Sequence, residues 1–415
     1  MTRARTAIVI GGGIAGPVTA LALHRAGIEA TIYEAHPGTA DGFGGRIALA
    51  PNGVSALGIV GAADAVVAAA QPIDRTVMAV GGRRIEMPGI SGAGPMQMIG
   101  RADLYQILRD LAVAAGVRFL HGKRLTGVRE EPQAATALFA DGSEARADVL
   151  IGADGVHSTV RGLIDPAAPG PRYTGMLAFE GLSPARVDSD LRTMTFAFGR
   201  KAYYLYWPVP AGGAVWGVNL PSTAPLTIAE ARSTPPEQWL SELLATYGPD
   251  TPGGDLMRAT PPESLLANGA LHIMPPVPHW HRGRMVLVGD SVHAPSNSSG
   301  QGASLSIESA VQLARCLRDL DVPPAFATYE RLRRARVEGV AAQAAKVNHA
   351  KAPGRLGQAV LPLLMRPLMK IAMKPEKTLG PVLRYRIDWD APAGEDRPPV
   401  RDRAESRLFT GRPRG

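Results

Sequence analysis

The stretch "TAIVIGGGIAGPVTALALHRAGIEATIYEA" (Thr6–Ala35) changes its hydrophobic rhythm twice, and that change sets the fold. Ala7 to Ile10 are a continuous apolar run, the pattern of a strand covered on both faces. Gly11, Gly13 and Gly16 then fall at G-x-G-x-x-G spacing, and Val18, Leu21 and Ala22 line a helix that stops at Gly27. A second strand, "ATIYE", ends in Glu34. Each part has a mechanical reason. Glycines let the turn, with Ile14 and Ala15, approach a pyrophosphate; a helix N-terminus favours its charge; the acid accepts from a ribose hydroxyl. A glycine-rich turn can also be a plain corner, but here strand, helix and acid all stand where a dinucleotide needs them.

Two later stretches repeat the shape. "VLIGADGVHSTVRGLID" (Val149–Asp165) begins as a buried strand and turns polar, with Asp154, Gly155, Ser158 and Arg161 behind it. "RMVLVGDSVHAPSNSSGQGASLSIESAVQLARCL" (Arg284–Leu317) runs as a strand to Gly289 and Asp290, then a polar loop, then a helix opening near Gly300–Gln301–Gly302. Ligands of open α/β sheets collect at the carboxyl ends of strands, where all three polar segments begin.

Composition narrows the class. Hydrophobic residues make up 45% and charged residues 20% of 415, enough for a real core. Cys316 is the single cysteine, which excludes a disulfide framework and suits a reducing, cytoplasmic setting. No Cys/His cluster has metal-site spacing. The net charge of +8 comes from scattered residues without interleaved aromatics, which favours a solvated surface over nucleic-acid binding. No run of 18 apolar residues offers a membrane span, and the N-terminal apolar stretch is broken by glycines, unlike a signal peptide.

The three boxes in this order resemble the group A flavoprotein monooxygenases, the para-hydroxybenzoate hydroxylase-like family. They match its glycine-rich fingerprint at Gly11–Gly16, its D-G-x-x-S-x-x-R box at Asp154–Arg161, and its G-D-x-x-H…G-Q-G box at Gly289–His293 and Gly300–Gly302. "YERLRRARVEGV" (Tyr329–Val340) resembles the family's Tyr-Glu-Arg-rich helix, so the likeness covers about residues 1 to 350. It implies bound FAD, with NADPH or NADH as a transient reductant, and O2 as co-substrate. It also implies that Asp154 orders the cofactor, that Arg161 anchors anionic groups or serves as a structural ion-pair partner, and that Asp290 holds the ribityl chain. Arg101 would lie beside the phosphates, and the backbone near Leu125 beside the adenine. The helix opening at Gly300–Ala303 would aim N–H groups at the reduced ring. Three positions depart from the pattern: Asn297 stands where Pro is usual, Ser309 where an acid is usual, and Arg46 where a small residue is common.

The remaining segments read as antiparallel strands. "RTVMAVGGRRIEM" (Arg75–Met87) forms a hairpin about Gly81–Gly82, and "RYTGMLAFEGL" with "LRTMTFAFGRKAYYLYWPVPAGGAVWGVNL" adds further strands. Phe196 and Phe198 share one face of their strand, as do Tyr204 and Tyr206 of theirs, with Tyr203 and Trp207 opposite. The aromatics either pack a plain core or roof an apolar cavity over the flavin; the expected pocket set is Phe196, Phe198, Tyr204, Tyr206, Trp216 and Asn297.

The expected fold is therefore α/β, a Rossmann-like FAD-binding domain carrying an inserted antiparallel β-sheet substrate domain and C-terminal helices. FAD-binding segments are 1–72, 98–171 and 271–350, and the substrate segments are 73–97 and 172–270. Residues 351–390 should form one or two helices broken by Pro362 and Pro367, and 391–415 a flexible tail with no room for an added domain. The expected function is hydroxylation of an aromatic or polycyclic small molecule by a monomer or homodimer through a flavin C4a-hydroperoxide, without stable membrane insertion. A related epoxidase or halogenase is the alternative, although the halogenase W-x-W-x-I-P box is absent, as is a non-catalytic FAD-holding protein. No catalytic base can be named from the sequence.

Overall fold

The computed structural model describes residues 3–38, 44–349 and 375–394. The apolar runs of the three boxes become neighbours in a six-stranded sheet. Its order is His281–Arg282, Met285–Leu287, Val149–Gly152, Thr6–Ile10, Glu29–Tyr33 and Arg118–Leu120. All pairings except that of the His281–Arg282 edge are parallel, so the carboxyl ends of the three box strands lie together. Val9, Val149, Leu150, Ile151 and Leu287 are fully buried, as an inner parallel sheet requires. Helices Ala15–Arg25 and Gly302–Asp319 pack together on this sheet. This is the Rossmann-like α/β domain that the pattern predicts.

A seven-stranded sheet stands against it. Its order is Leu265–Ile273, Arg172–Ser183, Ala214–Pro221, Tyr203–Pro208, Thr193–Phe198, Arg75–Val80 and Arg83–Glu86. The last two strands come from far earlier in the chain and join by a parallel pairing, Phe196 opposite Met78. Their hairpin turns on Gly81 and Gly82, both at positive φ (55° and 76°), as a tight two-residue turn demands.

The two faces of this sheet differ. Residues opposite one another in an antiparallel pair share a face. Tyr204, Tyr206, Trp216, Val218 and Phe179 belong to the back face, packed with Trp239, Leu243, Tyr247 and Met257 of the helices Pro236–Tyr247 and Gly253–Ala259. The front face carries Phe196, Leu205 and Glu180 in one row, and Phe198, Tyr203 and Asn219 in the next. Its third row, Met194, Trp207 and Val215, closes on Ile73 and Met98 of a three-stranded sheet formed by Arg46–Leu49, Met96–Gly100 and Gln71–Ile73.

At the C-terminal end, the backbone carbonyls of Ala391 and Pro392 accept from Arg315, and Arg318 lies over the Trp389 ring. Ala393 is fully buried. The first residues of the expected tail, from 391, are thus held by two arginines of the Gly302–Asp319 helix. The expected helices of 351–374, with Pro362 and Pro367, and the tail from 395 lie outside the described residues.

Candidate functional site

The three glycine-bearing turns meet at the carboxyl ends of the parallel strands, and their glycines divide into two kinds. Gly11, at φ +100°, is pressed on the Ala153 carbonyl, and a side chain on Gly16 would strike the carbonyl of Gly11. A side chain on Gly289 would meet Ala15 and Ser306. Those glycines close the fold. Gly13, Gly155 and Gly302 instead face open space, with nothing within 4 Å of an added Cβ, and Gly300 meets only the tip of Met96 at 3.6 Å. The helix Ala15–Arg25 starts at Ile14 with no side-chain cap and no acid in its first turn, so its N–H groups stay free for an anion.

Around this floor stand polar groups. Glu34 accepts from the Gly12 N–H (2.7 Å) and the His36 N–H (2.8 Å), which fixes its carboxylate at the end of its strand. The segment to Leu125 runs alongside, since Glu34 N–H donates to the Leu120 carbonyl and Lys123 N–H to that of Glu34. Both His121 ring nitrogens there are buried without a partner among the described residues. Asp290 accepts from Ser306 (3.3 Å), and burial holds its carboxyl above the usual range against the pull of Arg101. Open glycines, a free helix end, a fixed acid and orphaned nitrogens fit a dinucleotide with a planar ring system.

The D-G-x-x-S-x-x-R box is largely occupied with its own loop. Asp154 accepts from Ser158 Oγ (2.5 Å), Thr159 N (2.7 Å) and Val160 N (3.1 Å), while Ser158 Oγ accepts from Arg161 N (3.0 Å). Together they cap the helix Thr159–Ile164. Arg161 is 5% exposed and donates to the carbonyls of Ser291 (2.9 Å) and Val156 (3.0 Å). The anion-anchoring role expected of Arg161 is thus corrected. Its guanidinium ties the second box to the third, and its partners are carbonyls rather than an acid.

The departures have structural explanations. Ser309 accepts from Arg333 (3.1 Å) and shares a 2.8 Å hydrogen bond with His293 Nε2. Burial and Arg333 hold His293 down at about 3. The neighbouring Glu308 supplies the carboxylate that Ser309 lacks, pairing with Arg333 and Arg336 (2.7 Å each). Burial alone would raise its carboxyl, but the two arginines and Asn52 hold it low. Asn52 bridges Glu308 (2.7 Å) to Gln301 (3.0 Å), linking this buried network to the glycine loop. Asn297 starts the turn Asn297–Ser299, and its carbonyl accepts from Gly300 N–H. Arg46 pairs with Glu180, which bridges the three-stranded sheet to the seven-stranded one. Arg46 also lines an outer pocket of about 600 Å³ with Met98, Gly100, Asp103, Leu182 and Arg192.

On the sheet side, the expected pocket set divides. Phe196 and Phe198 lie half-buried on the front face, while Tyr204, Tyr206 and Trp216 point the other way into the helix-packed core. The correction is one of register: Phe198 pairs with Tyr203, so Tyr203 and Leu205, not Tyr204 and Tyr206, join the phenylalanines. Sequence reading missed Tyr203, Leu205, Asn219, Glu180 and Asn268. Among these, only Tyr203 and Leu205 had a usable signal, the parity of the hairpin.

With this geometry in hand, relatives place the chain. The FAD binding domain family matches residues 4–228 and 264–344, and the chain belongs to it, among the para-hydroxybenzoate hydroxylase-like FAD-dependent monooxygenases. It is 35% identical to the 3-amino-4-hydroxybenzoate 2-monooxygenase PtmB3 of Streptomyces platensis, over 80% of this chain and 85% of that one. It is 31% identical to an FAD-dependent urate hydroxylase of Klebsiella pneumoniae, over 83% of this chain and 91% of the relative. The solved structure of Klebsiella pneumoniae HpxO with FAD and uric acid superposes with a TM-score of 0.76 at 26% identity, covering 91% and 95% of the two chains. No helix among the described residues is long and apolar enough to cross a membrane.

Proposed function

We propose that this enzyme uses NADPH or NADH and O2 to hydroxylate an aromatic or polycyclic small molecule, working in a reducing cytoplasmic setting that its single cysteine suits. The observation that carries this reading is the floor of glycines left open at the carboxyl ends of the parallel strands, in a chain whose large sheet also offers a half-buried aromatic face, Phe196, Phe198 and Tyr203. FAD, when bound, supplies electron uptake from the nicotinamide and the activation of oxygen.

The chain's own groups supply the rest. Glu34 would receive a ribose hydroxyl and Asp290 the ribityl chain. The helix end at Gly302–Ala303 would direct N–H groups toward negative charge developing on the ring. The front face would exclude water from the reacting edge. Burial pushes the Tyr203 hydroxyl up to about 12, so it would stay neutral on that face. Gly155 faces open space with its loop braced by Asp154 and Ser158, which suits brief contact with a nicotinamide nucleotide. The oxygenated aromatics named for the relatives support the substrate class.

The test is aerobic NAD(P)H consumption by the purified yellow protein across a panel of aminophenols, hydroxybenzoates and fused bicyclic heteroaromatics. At least one compound should accelerate oxidation and gain one oxygen by mass spectrometry. A chain that holds FAD yet oxygenates none of them is not this hydroxylase.

A further inference from the structure

One polar cluster remains unexplained by cofactor binding. It surrounds Gly45, at the junction of the three-stranded sheet and the front face of the seven-stranded one. A Cβ on Gly45 would lie 2.7 Å from Glu180 Oε2 and 2.9 Å from Asn268 Nδ2. Glu180 is 7% exposed and accepts from both the backbone N–H and the guanidinium of Arg46, each at 2.8 Å. Asn268 Oδ1 is buried with no partner among the described residues. A buried amide oxygen without a donor costs on the order of 1–3 kcal/mol, so its retention calls for a partner that arrives with a ligand.

The row that holds Glu180 continues through Gly217, Leu205 and Phe196 to Met78. At Gly217 the Leu205 side chain leans over the row, 3.3 Å from where a Cβ would stand, and so meets the carboxylate end directly. The face therefore has an acceptor-rich end and an aromatic length. The Arg46 guanidinium at this end is engaged by Glu180. Asn268 Oδ1 and the Glu180 carboxylate both seek hydrogen-bond donors, and Glu180 repels a second anion at close range.

We propose that Asn268 and Glu180 form the polar end of the substrate site and select an aromatic substrate that presents a hydroxyl or N–H donor there, rejecting one that presents a carboxylate. This rests on the hydroxylase reading above and deepens it. Arg46 is a positioning residue: its bridge holds the Glu180 carboxylate in place.

The test uses flavin-loaded protein and two small probes, 2-aminophenol and 2-aminobenzoate, which differ in hydroxyl against carboxylate. Binding is read from the perturbed flavin spectrum. The wild type should bind 2-aminophenol at least about tenfold tighter. Glu180→Gln should shrink that ratio by relieving repulsion of the carboxylate. Asn268→Ala leaves the Arg46 bridge intact and should weaken 2-aminophenol by about tenfold with little effect on flavin content. Equal binding, tighter binding of 2-aminobenzoate, binding of neither probe, or Asn268→Ala identical to wild type would overturn the proposal while leaving a yellow NAD(P)H oxidase standing. A chain that refuses FAD overturns the hydroxylase reading and this proposal with it.

Discussion

The glycine floor and the aromatic sheet are built by different rules. On the floor, single positions decide everything, because backbone must approach backbone or cofactor with no side chain between. On the sheet, no single position decides. Both faces carry aromatics of the same strands, and only their packing against helices distinguishes core from cavity. The floor is thus intolerant site by site, whereas the sheet is tolerant on one face and intolerant on the other.

The largest effect should come from the floor, where the two kinds of glycine predict two kinds of failure. Gly16→Ala drives a methyl into the Gly11 carbonyl, so little folded protein should be recovered. At Gly302 an added Cβ meets nothing within 4 Å, so Gly302→Val should fold with near-wild-type melting, yet elute colourless because its side chain enters the space of the ring. A yellow Gly302→Val would break the distinction between closing and cradling glycines.

On the sheet, Trp216→Ala should cost about 3–5 kcal/mol in denaturant unfolding, since the indole is fully buried and donates to Thr260 Oγ1 at 2.8 Å. Phe196→Ala, half-buried on the front, should cost only about 1–2 kcal/mol while altering which aromatics accelerate NAD(P)H oxidation. Similar losses at both positions would mean that the front face is core as well.

How much of this was legible follows the same division. The floor could be read from spacing, because a glycine where strand turns into helix has few alternative reasons to exist. The faces of the sheet could not be read with equal success. The loop Gly199–Ala202 sets the hairpin register, and a shift of one residue exchanges Tyr203 for Tyr204. Arg161 misled for a different reason: an arginine near a nucleotide box looks like an anion anchor until its distance to the Ser291 carbonyl is known. Glu180 and Asn268 carried no motif at all, since their meaning comes from meeting Gly45 across two sheets.

The buried network beneath the floor should make itself felt through pH. Folding holds the His293 imidazole at about 3, below its ordinary 6.5, so between those values the unfolded chain binds the extra proton. Stability from this group is complete above pH 6.5 and falls as pH drops toward 3, by up to about 1.4 kcal/mol per pH unit. His293→Asn removes the titration, so its unfolding free energy should decline less steeply from pH 6.5 to 4.5 than that of the wild type. Parallel curves would place the His293 proton elsewhere.

The smallest effect separates holding a loop from touching a cofactor. Ser158 caps the helix Thr159–Ile164 through Arg161 N–H and donates to Asp154. Ser158→Ala should therefore cost about 1 kcal/mol of stability. Burial already pushes the Asp154 carboxyl above its ordinary range, and losing the Ser158 hydroxyl removes one of the bonds that restrain it. If the box acts only by shaping the loop around Gly155, FAD affinity and the KM for NAD(P)H should change by no more than the same few-fold factor. A KM rise of a hundredfold at unchanged stability would show that the hydroxyl meets the nicotinamide nucleotide directly, moving this box from the class of braces to that of contacts.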